Sequence, residues 1–218
     1  MEAIFHDRRD AGRQLGRRLL HLKSDHPVVM GLPRGGVPVA VEVVRVLQGW
    51  LDLMIVHRIT APDNADLTVG AVLDNAQVEV YVDDQAAAAC GMSREAIDRE
   101  VVRLRHAIAL QQSLYAVGRP RPDIQNETVI LVDDALVTGA TARVAIRALY
   151  HEHARRVVIA VPVATATAVA ALKDQCDELI VLAMVEDLSG VRRAYADFSP
   201  VTDFEIIRLI REIPAPHV

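Results

Sequence analysis

Four consecutive apolar residues, Val129-Ile130-Leu131-Val132, three of them β-branched, run directly into Asp133-Asp134, a turn of small residues and a helical pattern. A run of that kind suits a strand covered on both faces. Beyond Thr141, the residues Ala142, Val144, Ala145, Ile146, Ala148 and Leu149 recur at helical spacing. Strand, turn and helix in this order form a βα unit, and a strand buried on both faces needs helices on both sides of its sheet. The turn therefore falls at the carboxyl end of a parallel strand, where open α/β sheets bind ligands.

The rest of the chain repeats the alternation. A helix is predicted over 10–22, with Ala11, Leu15, Leu19 and Leu22 on one stripe, then a strand over 27–31, a helix over 37–47 and a second strand over 51–57. After a polar loop, 69–73 and 77–82 read as a hairpin across Asp74-Asn75, so that 58–82 forms a flexible cover. A long charged helix over about 93–117 carries Ile97, Val101, Leu104 and Ile108 on its apolar face, and Pro120 and Pro122 disfavour helix in the connector 118–126. A strand over 156–161, a helix over 167–173 and a strand over 178–182 follow, and the capping-box spacing of Thr202 and Glu205 starts a last helix through Ile210. The pattern predicts an α/β fold with a central, mostly parallel sheet flanked by helices. With 218 residues, 51% of them hydrophobic and 4% aromatic, one domain over 1–218 can bury a large aliphatic core.

Charge and cysteine usage narrow the setting. A net charge of −5 argues against a general nucleic-acid or anionic-membrane surface and leaves room for a local basic pocket. Cys90 and Cys176 are too few and too far apart for a disulfide framework or a Cys-rich metal site. The first ten residues are charged without an apolar core, and no apolar run approaches about 20 residues. The expectation is a cytoplasmic protein without membrane or nucleic-acid partners.

The chemistry of the turn follows from its composition. Thr138, Gly139, Ala140 and Thr141 offer backbone N–H groups and two hydroxyls where a helix begins, and the aligned peptide dipoles place roughly half a positive charge there. That suits a phosphate monoester. Asp133 and Asp134 would repel a phosphate but accept hydrogen bonds well from vicinal hydroxyls such as those of a ribose. A second turn, Leu32-Pro33-Arg34-Gly35-Gly36, also lies between a strand and a helix; its glycines can present amides to an oxyanion and Arg34 adds a bidentate positive charge. His57-Arg58, at the end of the second strand, adds a third basic position.

Together these segments resemble the type I phosphoribosyltransferases, which use 5-phosphoribosyl-1-pyrophosphate (PRPP). The resemblance rests on the run 129–141 and extends to Phe5-His6-Asp7-Arg8 with Ala11-Gly12, to Gly31-Leu32-Pro33-Arg34-Gly35-Gly36-Val37-Pro38 and to Val201-Thr202-Asp203. It implies that Ala135, Leu136, Val137, Thr138, Gly139, Ala140 and Thr141 hold the ribose 5-phosphate. Asp133 and Asp134 would position the ribose hydroxyls, and Arg34, Gly35 and Gly36 form the pyrophosphate loop, which in relatives often contains a non-proline cis peptide. Arg58 would assist departing pyrophosphate, although relatives commonly carry a lysine in such a basic pair. The resemblance further implies Mg²⁺ bound mainly through PRPP rather than by a protein cluster, a hood over about 183–200 that chooses the acceptor, and a homodimer. Arg8 reads as a helix-start salt bridge.

The predicted reaction is transfer of the 5-phosphoribosyl group to a small nitrogenous acceptor with release of pyrophosphate. Two other readings fit the same residues. A PRPP- or nucleotide-sensing protein would keep the loops without turnover, as the exchanged pair His57-Arg58 and the hood residues Asp187, Leu188, Arg192 and Arg193 suggest. A hydrolase using the acidic pair as nucleophile is the third.

Overall fold

A computed structural model describes residues 3–75, 77–116 and 120–214. Five strands, β1 (Val28–Gly31), β2 (Trp50–Leu53), β6 (Thr128–Val132), β7 (Arg156–Thr165) and β8 (Glu178–Val185), form a wholly parallel sheet in the order β2-β1-β6-β7-β8. Their side chains alternate between two cores. Val29, Ile130, Val132, Val158 and Ala160 face one, and Val28, Met30, Val129, Leu131, Val157 and Ile159 face the other. The first is closed by the helices α1 (Arg8–Arg18), α2 (Gly36–Leu47), α4 (Arg94–Tyr115) and α8 (Asp203–Arg211); the second by α5 (Ala140–His151) and α6 (Ala166–Leu172). Each buried Val, Leu or Ile contributes about 1.5–3 kcal/mol, which is how strands as short as four residues hold their place. The α/β architecture expected from the alternation is the one observed.

Several boundaries differ, each for a local reason. The helix predicted over 10–22 starts at Arg8, capped by Asp7, whose carboxylate accepts from the Asp10 amide at 2.7 Å, and gives way to a 3₁₀ segment, Leu20–Asp25. The tighter turn keeps Leu19 and Leu22, three residues apart, on the buried side. The strand predicted over 51–57 is two strands: β2 ends at Leu53, and β3 (Val56–Ala61) belongs to a second, antiparallel sheet. Burial alternates straight through the break, with Leu51, Leu53 and Ile55 on one core and Trp50, Met54 and Val56 on the other. Periodicity alone therefore could not mark the break. The polar loop predicted after His57 is also strand, since β4 (Asn64–Asp74) pairs with β3 across a tight turn as well as with β5 (Val78–Val82) in the predicted hairpin.

A short helix, α3 (Asp84–Ala89), was not predicted; Asp83 caps it by accepting from the Gln85 and Ala86 amides. The predicted end of the long helix at Val117 and the start of the connector at Gly118 lie outside the described residues. β7 continues past Pro162 because its β6 ladder stops at Ala160 and, among the described residues, the only later pairing on that side is a bridge from Leu136 to Ala164. Proline is tolerated in such a gap. In the segment expected to form a hood, α7 (Leu188–Ala194) is capped by Asp187, and the segment is bound to the N-terminal residues, with the Phe5 amide donating to Ala194 O at 2.9 Å and the Asp197 amide to His6 O at 2.8 Å. Among the described residues no helix is long and apolar enough to cross a membrane.

Candidate active site

At the carboxyl end of β6 the chain turns sharply. The Asp134 amide donates to Asp133 Oδ1 at 2.8 Å, and the Tyr195 hydroxyl donates to Asp134 O at 2.6 Å. Leu136 then bridges to β7, and the Thr165 hydroxyl donates to Val137 O at 2.7 Å, so the loop is fastened at both walls. Gly139 enters α5 with φ of 77°, a backbone conformation that side chains other than glycine rarely adopt. Thr138 Oγ1 accepts from the Ala140 amide at 3.4 Å. The remaining first-turn amides have no intrahelical acceptor, which suits an anion at this helix start.

The second turn is packed directly against the first. The Leu32 amide donates to Val132 O at 2.9 Å and the Gly36 amide to Leu32 O at 3.0 Å. The Pro33–Arg34 peptide is cis, the conformation that the resemblance implied. A Cβ on Gly35 would stand 1.9 Å from Asp134 Oδ2, and one on Gly36 would stand 2.6 Å from Val132 O. Glycine is thus required by the closeness of the two loops. The Gly36 amide is committed to Leu32 O and the Ala140 amide to Thr138 Oγ1, and both residues are buried.

Between the loops opens a cleft of about 690 Å³. Arg34, Gly35, Arg58, Asp133, Asp134 and the stretch Ala135, Leu136, Val137, Thr138, Gly139 and Thr141 all line it. Arg58 projects from β3, not from the end of a parallel strand, and has no ion-pair partner among the described residues. Removal of the Asp133 carboxyl from water, and then the charge of Asp134, raise its pKa well above the ordinary value; Arg58 opposes the shift. Asp134 is held differently. Arg8 Nε donates to its Oδ2 at 2.8 Å, and the same guanidinium donates to Ser199 O and lies 3.9 Å from the centre of the Phe198 ring.

Arg8 therefore does not make the local helix-start salt bridge predicted for it. Its partner is 126 positions away. Phe198 also stacks on Tyr195, with ring centroids 4.9 Å apart, and Leu188, Val191 and Phe198 line this side of the cleft. Asp187 caps α7, and Arg192 and Arg193 point to solvent. Gln111, four residues before the end of α4, also reaches the cleft and had no sequence signal, because it stands in an uncharged stretch, 107–116, that carries no motif. His57 Nε2 lies 2.8 Å from Gln111 Oε1; Gln111 donates to the Tyr115 hydroxyl at 3.0 Å, and Tyr115 donates to Asp203 Oδ1 at 2.5 Å. Asp203 Oδ1 is 4.0 Å from Arg34. Burial, followed by the Asp203 bond, pushes the Tyr115 pKa up to about 12.

Residues 8–187 match the family profile described as phosphoribosyl transferase domain. Two proteins of Mycobacterium tuberculosis, from strains CDC 1551 and H37Rv, are named provisionally as phosphoribosyl transferases; each is 35% identical over 209 residues. That alignment covers 95% of this chain and 46% of theirs, so the chain spans about half the length of the curated relatives it matches. The crystal structure of TT1426 from Thermus thermophilus is 37% identical and superposes with a TM-score of 0.79, covering 97% of this chain and 99% of that one.

Proposed function

We propose that this chain, which belongs to the phosphoribosyl transferase family, binds PRPP with Mg²⁺ and transfers the 5-phosphoribosyl group to a small nitrogenous acceptor. The observation that carries the reading is the placement, around one cleft, of an anion cradle and acidic pair on one wall and Arg34 and Arg58 on the others. These are complementary to the two charged ends of PRPP and to the ribose hydroxyls between them.

In the proposed mechanism the first-turn amides of α5 and the hydroxyls of Thr138 and Thr141 hold the 5-phosphate. Asp133 and Asp134 accept from the ribose hydroxyls and favour positive charge developing on the ring, while Arg34 and Arg58 stabilise the pyrophosphate as the C1–O bond breaks. Catalysis is by orientation and electrostatics. No group of three or more metal-ligating side chains occurs among the described residues. One or two carboxylates with substrate oxygens and water are the donors that Mg²⁺ usually takes, and Asp133 and Asp134 fit that role. When bound there, Mg²⁺ supplies charge neutralisation of the pyrophosphate leaving group.

A second reading, a PRPP-responsive regulator without turnover, is favoured by the Arg8–Asp134 pair, which occupies one of the two carboxylates. Pyrophosphate release from PRPP and Mg²⁺, measured against a panel of nucleobases, separates the two: binding without release for any base favours the regulator. Titration calorimetry of the variant Asp133→Asn with Asp134→Asn tests both, with loss of PRPP binding expected. Unchanged affinity would remove the assignment of the site.

A further inference from the structure

Four side chains link one side of the cleft to another through hydrogen bonds whose direction is set at one end. Asp203 is a carboxylate and only accepts, so the Tyr115 hydroxyl must give it its single proton at 2.5 Å. The Tyr115 oxygen is then free to accept, and it receives the Gln111 amide at 3.0 Å. With its NH₂ so engaged, Gln111 turns its oxygen toward His57, 2.8 Å from Nε2, and a carbonyl oxygen there requires a proton on Nε2. The remaining ring nitrogen, Nδ1, carries the lone pair. It has no hydrogen-bond partner among the described residues. Nor is any buried side-chain nitrogen or oxygen among them left unpartnered, so Nδ1 is open to solvent on a residue that lines the cleft.

We infer that the Asp203–Tyr115–Gln111 chain fixes His57 as the Nε2–H tautomer, making its Nδ1 the acceptor of the proton lost by the incoming nitrogen. The role rests on the transferase reading above. As the acceptor N–H attacks ribose C1, the C1–O bond to pyrophosphate breaks with its electron pair leaving on oxygen. The N–H proton passes to Nδ1 and later to water. The two carboxylates of the loop do not serve: Asp134 is bound to Arg8, and Asp133 is engaged with the ribose hydroxyls in the proposed mechanism. Arg58 on the same strand, Arg34 on the facing turn and Asp133 share the cleft with the ring and set its electrostatic surroundings. Gln111, Tyr115 and Asp203 are positioning residues in this scheme, and His57 is the catalytic one.

The tautomer is read directly in this 218-residue chain from long-range proton–nitrogen correlations of the histidine rings. The expected spectrum shows His57 protonated on Nε2 alone, and Tyr115→Phe, which removes the hydroxyl but keeps the ring, converts it to a mixture. A wild-type Nδ1–H tautomer, or no change in Tyr115→Phe, overturns the chain. In the pyrophosphate-release assay with the best base of the panel, His57→Gln is expected to lower kcat about a hundredfold while PRPP affinity changes less than about twofold. Unchanged kcat with wild-type turnover intact overturns the role of His57 alone. Absence of turnover in the wild type with every base overturns the transferase reading itself, and the base role with it.

Discussion

At the end of β6, Asp133 edges the cleft while its carboxyl is withdrawn from water beside the charge of Asp134. Its pKa in the folded protein is raised above the ordinary 3.8. The folded state thus holds this proton more tightly than the unfolded chain, so stability falls as pH rises from about 3.8 through the folded value and stays reduced above it. Asp133→Asn should therefore raise the Tm at pH 7 by a few degrees, with the gain vanishing near pH 3.5, and should weaken PRPP binding; a Tm that does not rise at pH 7 would contradict the desolvation. Gly35→Ala should have the opposite effect on stability. Its Cβ would meet Asp134 Oδ2, Cγ and Oδ1 at 1.9, 2.5 and 3.0 Å, so the whole carboxylate must leave its bond to Arg8. A loss of about 1–3 kcal/mol is expected from such overpacking, read as a lower Tm. Asp133, Asp134 and Arg34 were legible in the sequence because each borders a strand end with a turn of small residues. Arg8, Gln111 and Phe198 were not, because each reaches the cleft only after distant segments have packed.

Elements decide how those residues are presented. α8 begins with Thr202, whose hydroxyl accepts from the Glu205 amide at 3.2 Å, and this cap holds Asp203 at the first helical position beside Tyr115 and Arg34. Thr202→Ala should cost about 1 kcal/mol in denaturant unfolding. If α8 presents Asp203 through this cap, the same variant should also mix the two His57 tautomers, whereas Thr202→Ser should preserve one. The cap itself was readable from the spacing of Thr202 and Glu205, as were the helices α2 and α5 and the strands β1 and β6, where composition and period agree. The division between β2 and β3 was hidden, since two cores lying on opposite sides of the chain sustain one alternation across both sheets. That division matters for the site. It carries His57 and Arg58 out of the parallel sheet and places them over the cleft from an antiparallel one.

For the molecule as a whole, the formal charge of −5 would repel a polyphosphate, yet Arg8, Arg34 and Arg58 converge on the cleft. Distance decides between the two effects. Charges spread over the surface are screened beyond about 8 Å at physiological ionic strength, while groups within contact range of a bound anion are screened far less. Of the three arginines, Arg8 is neutralised by Asp134 at 2.8 Å and Arg34 has Asp203 at 4.0 Å, which leaves Arg58 as the cation with no ion pair among the described residues. PRPP affinity in the presence of Mg²⁺ should therefore fall as KCl is raised from about 0.05 to about 0.5 M, because local attraction outweighs the distant repulsion that salt also relieves. Arg58→Gln should weaken binding about tenfold, equivalent to about 1.4 kcal/mol, and should flatten the salt dependence. Titration calorimetry at several salt concentrations measures both. An affinity that instead rises with salt would mean that net charge governs the encounter, and Arg58 would then lose its place in the proposed pyrophosphate site.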